Sequence, residues 1–162
     1  MKPLSPSAQR VQDALAAAGI DGAIVEYDAP ARTSAEAAQV LGCTVGEIAK
    51  SLVFRAADDR HVLVIASGAH RIDERRVAEA VGQPIVKADA DFVRARTGYA
   101  IGGVPPIAHA SPPIALVDAA LLAYERVFAA GGTPNAMFPA RPQDLVRASG
   151  GRVVDVALAS NR

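Results

Sequence analysis

Gly102-Gly103 and Pro105-Pro106 stand on either side of a single valine, and neither a helix nor an interior strand can run through that stretch. Proline fixes φ and offers no N–H, while glycine tolerates positive φ and lets another group come close to the backbone. From Arg96 to Pro106 the chain therefore reads as a stiff, bare loop whose backbone N–H and C=O groups can face a ligand. The same residues also fit an ordinary turn between strands.

A second constraint is Lys50, one of three lysines in a chain with fourteen arginines. It opens the run Lys50-Ser51-Leu52-Val53-Phe54, which predicts a buried strand entered from a short helix. An ammonium at the mouth of an apolar strand must meet an anion or reach water, because burying it unpaired is costly. It either holds a ligand there or snorkels, with its stem along the strand.

Around these two features the pattern alternates. Ser7–Ala18, stopped by Gly19, predicts an amphipathic helix, and Ala23–Tyr27 a strand. Thr33–Glu36 and Thr44–Glu47 have the form of capping boxes, so two short helices lead into the Lys50 strand. The polar turn Arg55–Arg60 joins it to a strand at His61–Ser67, a predicted hairpin. A helix over Asp73–Val81 ends at Gly82, and a strand at Ile85–Ala88 precedes a helical turn at Ala90–Arg96. Ile114–Val117, Glu125–Ala129 and Val153–Val156 predict late strands, and Arg141–Ala148 a helix. The fold class expected is α+β: one domain over 1–162, with a mixed, mostly antiparallel sheet flanked by helices.

Composition narrows the function classes. The chain is 51% hydrophobic but 4% aromatic, so its core is built from Ala, Val, Leu and Ile. No apolar run is long enough to span a membrane, no secretory signal opens the chain, and Cys43 is its only cysteine, which together lead us to expect a cytoplasmic protein. Formal net charge is zero, although Arg71, Arg75 and Arg76, and Arg94 and Arg96, form local groups. These groups can hold phosphates or form solvated helix faces. His61, His70, His109 and Cys43 lack metal-ligand spacing, and Cys43 has no histidine nearby in sequence, so neither a metal nor another cofactor is expected.

Taken together, Ala49–Phe54, Thr97–Pro106 and Ala130-Gly131-Gly132 resemble the YbaK/ProX family. Its members are free-standing relatives of the editing domain in bacterial prolyl-tRNA synthetases. The resemblance runs in order from about Ser7 to Ala157. It implies a trans-acting deacylase that hydrolyses the ester of mischarged aminoacyl-tRNA, with the tRNA 3′ acceptor end as partner, and a synthetase as a possible second one. Lys50, Gly102 and Gly103 are the implied catalytic positions. Tyr27, Val104, Pro105, Pro106, Gly131 and Gly132 are the implied substrate-binding ones; Ser51, next to the lysine, either bonds the substrate or caps strand pairing, and His109, just past the prolines, is either a pocket histidine or a surface or core one. Relatives acting on cysteinyl-tRNA carry a serine before the second glycine pair and an aspartate several residues later. Ala130 and Ala136-Met137-Phe138 occupy those places here, as in branches that remove Ala, Ser, Thr or 2-aminobutyrate. With no evident protein nucleophile, the hydroxyl vicinal to the ester would help activate water. The alternative is a non-catalytic tRNA- or nucleotide-binding module on the same fold.

Overall fold

The computed structural model describes residues 3–29, 31 and 33–159. Eight strands make one mixed sheet: β1 (Val25–Glu26), β2 (Ile48–Ala56), β3 (His61–Ser67), β4 (Ile85–Lys87), β5 (Ile114–Asp118), β6 (Val127–Ala130), β7 (Ala136–Ala140) and β8 (Arg152–Val154). Their order is β1-β7-β6-β2-β3-β5-β8, with β4 also paired to β2. Antiparallel pairing joins β1–β7, β2–β3, β2–β4 and β6–β7, whereas β2–β6, β3–β5 and β5–β8 are parallel. The α-helices among the described residues are α1 (Pro6–Ala17), α2 (Ser34–Leu41), α3 (Glu74–Val81), α4 (Ala90–Thr97) and α5 (Pro142–Ser149).

β3 shows why the sheet carries helices on both faces. Every residue from His61 to Ser67 is buried, so the strand is apolar on both sides rather than alternating. Leu63 and Ile65 face a core shared with Val11 and Leu15 of α1, Val93 of α4 and Leu145 of α5. Val62, Val64 and Ala66 face the other side, against Val77 of α3, Phe54 and Leu116. Ala37 and Ala38 of α2 cover Ile48 and Phe128 beyond them.

Local chemistry sets the element ends. The Thr33 side chain accepts from Glu36 N–H at 3.1 Å and starts α2. Thr44 N–H donates to Glu47 Oε1 at 2.9 Å, as a capping box requires. The helix expected there is a single 3-10 turn, Val45–Glu47, because Ile48 and Ala49 already pair with β6. Lys50 is thus the third residue of its strand, not the first. The Ala23–Tyr27 strand shortens to Val25–Glu26, and Met137 and Phe138 lie on β7, a strand that periodicity did not isolate. The closing strand comes earlier, at Arg152–Val154, and a 3-10 turn at Ala119–Ala123 follows β5. No helix among the described residues is long and apolar enough to cross a membrane.

Leu63 is fully buried at the centre of this sheet. Leu63→Ala is expected to lower unfolding free energy by about 2–5 kcal/mol in a denaturant titration. A loss below about 1 kcal/mol would mean that the site collapses around the smaller side chain.

Candidate functional site

β2 is flanked unevenly. On one side β3 pairs with it from Ala49 to Arg55. On the other, β6 reaches only Ile48 and Ala49, and β4 only Phe54 to Ala56. Gly68 N–H donates to the Ile48 carbonyl, and Ala56 N–H to the Arg60 carbonyl, so even-numbered residues of β2 bond towards β3. Ser51 N–H, Ser51 C=O and Val53 N–H therefore face the gap between β6 and β4. A cavity of about 400 Å³ opens there, lined by Ser51 to Phe54, Ile72, Glu74, Lys87, Ala88, Val93, Ile101, Gly102 and Val104.

Lys50 lies beside this gap. Its Nζ donates to the His70 carbonyl at 3.0 Å. Partial burial pushes its ammonium below the usual lysine range, and the Asp118 carboxylate opposes that shift. Asp118 is 1% exposed and accepts from Ser67 N–H and Ala120 N–H, each at 3.0 Å, and pairs with His70 Nε2 at 2.5 Å. This carboxylate ties the end of β3, the following turn and the 3-10 turn together, and so fixes the carbonyl that holds Lys50. The sequence signal for Asp118 was a carboxylate ending the apolar run Ile114–Val117. Nothing in the sequence around His70 marks it as a partner of that carboxylate.

Ser51 adds an orphan. Its Oγ is buried and has no hydrogen-bond partner in the structure. Such a group costs about 1–3 kcal/mol unless something fills its valence.

The glycine–proline loop forms the opposite wall. Tyr99, 1% exposed, anchors it by donating from its hydroxyl to the Ala108 carbonyl at 3.0 Å. His109 Nε2 donates to the Pro105 carbonyl at 2.7 Å, which leaves Nδ1 as an acceptor for His61 Nε2–H at 3.0 Å. The two rings stack with centroids 5.3 Å apart. His109 thus braces the loop from behind, and Gly102 and Val104 line the cavity while Gly103, Pro105 and Pro106 are buried out of it. A Cβ on Gly103 would lie 2.8 Å from the Thr133 backbone, so this glycine permits contact with the β6–β7 turn. Gly132 serves the same turn: its φ is +105°, and a Cβ there would lie 2.7 Å from the Ser7 carbonyl oxygen.

The remaining positions separate. Tyr27 borders a different, small pocket with Ala37, Val40 and Met137, and burial, then Cys43, raises its hydroxyl above the usual range. Gly131 N–H donates to the Ala136 carbonyl inside the β6–β7 hairpin. Arg75 and Arg76 lie near Asp73, and Arg96 pairs with Asp59 at 3.2 Å, so these arginines sit in surface ion pairs.

A profile of the aminoacyl-tRNA editing domain matches residues 28–148, three quarters of the chain. The chain belongs to the aminoacyl-tRNA editing domain family. A crystal structure of a protein whose proposed role is trans-editing for prolyl tRNA synthetase is 44% identical, covering 97% of this chain and 100% of its own, at a TM-score of 0.90. The hypothetical protein APE2540 is 34% identical over 92% of this chain and 99% of its own, at a TM-score of 0.85. YwhH of Bacillus subtilis (strain 168), itself uncharacterised, is 31% identical over 82% of this chain and 85% of its length. The loop and lysine that carried the resemblance to YbaK/ProX proteins thus lie in an editing-domain fold, the loop lining the gap and Lys50 on β2 next to Ser51, outside the cavity lining.

The histidine brace makes a pH prediction. Burial, then His109 and Arg96, hold His61 down from 6.5 to about 4. The folded state binds a proton less readily than the unfolded chain, so stability is complete above pH 6.5 and falls as pH drops towards 4. A loss of up to about 3 kcal/mol over that window is expected, and His61→Asn should flatten it. An equal slope in that variant would assign the acid sensitivity to other groups.

Proposed function

We propose that this editing domain is a free-standing, cytoplasmic aminoacyl-tRNA deacylase acting on esters of small amino acids. The observation that carries the reading is a glycine–proline loop lining the gap in β2, with an anchored, half-buried Lys50 on the same strand next to Ser51. An ester carbonyl brought to that gap would meet the ammonium and loop backbone groups, which stabilise charge as it develops on oxygen. Water adds to the carbonyl carbon, the bond to the ribose oxygen breaks, and that oxygen takes a proton as the free amino acid leaves. The hydroxyl vicinal to the ester orients the water, so no protein nucleophile is needed.

In this scheme Lys50 and the backbone of Gly102 act on the ester, while Gly103, whose N–H donates to the Ala100 carbonyl at 3.0 Å, holds the loop in shape. Ser51 and Val104 shape the pocket, Pro105 and Pro106 stiffen its wall from behind, and Tyr27, His109, Gly131 and Gly132 support the surrounding turns. Small substrates follow from the wall: a proline-stiffened loop excludes a large side chain by overlap. It discriminates weakly among small ones, since one methylene is worth only about 1–3 kcal/mol. The partner is the 3′ acceptor end of tRNA, with a synthetase as a second partner that would hand over the mischarged product.

Purified protein incubated with a panel of mischarged tRNAs tests the reading. Turnover of alanyl, seryl, threonyl or 2-aminobutyryl esters is expected, with little on phenylalanyl esters. Binding without turnover of any ester would instead make the domain a non-catalytic tRNA-binding module. Lys50→Ala should reduce kcat/KM by about 10- to 100-fold, the value of one charge-assisted contact, with little change in Tm. Near-wild-type turnover would remove Lys50 from the site. A substrate ending in 2′-deoxyadenosine and acylated on its 3′ oxygen should react slowly, and full activity on it would overturn the substrate-assisted scheme.

A further inference from the structure

The cavity beside β2 is far larger than an alanyl or seryl side chain requires, and its wall is mostly apolar. Its polar features are few: the strand-edge groups of Ser51 and Val53, and Glu74 and Lys87. Because residues two apart on a strand present their backbone groups to the same side, Ser51 C=O and Val53 N–H form an acceptor followed by a donor. Neither β6 nor β4 extends over them.

That order is complementary to one edge of adenine, where the exocyclic amino group donates and the adjacent ring nitrogen N1 accepts. Ile72 and Val93 supply apolar walls of the kind on which a flat base rests, and Ile101, 58% exposed, offers apolar surface with no partner. Lys87 lines the same cavity from β4, is exposed, and forms no ion pair among the described residues, so it is free to meet a phosphate.

We infer that the uncovered stretch of β2 reads the base of the terminal adenosine, with Ser51 C=O accepting from the amino group and Val53 N–H donating to N1. The substrate in this inference rests on the deacylase reading above. The base, rather than the amino acid, fills most of the cavity, and the ester is left near Lys50 at its edge. Uracil has one ring where adenine has two, so it fills the cavity less fully and binds more weakly.

The test is an amide-resolved NMR titration of the wild-type protein with AMP, 7-deaza-AMP, N6,N6-dimethyl-AMP and UMP. AMP and its 7-deaza analogue are expected to shift the Ser51 and Val53 amides with millimolar affinity. The dimethyl analogue should bind at least about tenfold more weakly, the loss expected for one blocked hydrogen bond. Ala88→Leu, which narrows the cavity, should abolish the AMP shifts without lowering Tm. Shifts confined to another surface, equal affinity for the dimethyl analogue, or no AMP response at any soluble concentration would each overturn the inference. Mischarged-tRNA turnover without an AMP response at β2 would sink this inference and leave the deacylase standing. An AMP response at β2 with no turnover of any ester would support the base reader and sink the deacylase.

Discussion

A strand bonded fully along one side and only at its ends along the other is the constraint on which this site depends. β3 holds β2 over its whole length, while β6 and β4 grip opposite ends and leave Ser51 and Val53 between them. Unsatisfied backbone groups in an apolar setting are costly, and native proteins seldom keep them without a use. The gap is stable because the burial it forgoes is recovered around it. β3 is buried on both faces, and α1, α4 and α5 on one side and α2 and α3 on the other close the sheet.

Two buried polar assemblies keep the walls of the gap in place. Asp118 gathers three donors and sets the turn that presents the His70 carbonyl to Lys50. Across the gap, His61 and His109 brace Pro105 from behind, while Tyr99 ties the loop to Ala108. Both work by hydrogen bonds to backbone, which fix position without adding bulk to the cavity. A low-aromatic core suits this arrangement, because small aliphatic side chains leave loop geometry to such ties.

Much of this was legible from residues. The hairpin of β2 and β3, the helix stopped by Gly82 and the stiff loop each have local signals, namely continuous apolar runs, a glycine stop and paired glycines and prolines. What was not legible depends on long-range pairing. Val45–Glu47 carries a proper capping box, yet becomes one 3-10 turn because Ile48 is drawn into pairing with β6 some eighty residues later. β7 contains Pro139 and its sequence does not alternate apolar with polar residues, so only its pairing with β6 and β1 identifies it. In the candidate site, Lys50 and the loop could be named from sequence. The partnership of Asp118 with His70, the brace behind Pro105 and the uncovered edge of β2 could not, because each joins segments far apart in the chain.

The central claim is that the acylated 3′ end of tRNA seats in the gap of β2. The most direct measurement is a crystal structure with a non-hydrolysable amide analogue, 3′-alanylamino-3′-deoxyadenosine. The account predicts its carbonyl between Lys50 and the Gly102–Pro106 loop, with the rest of the molecule along Ser51 and Val53. An analogue bound elsewhere, such as the groove lined by Tyr124, Arg126 and Arg141, with the β2 gap empty, would contradict it.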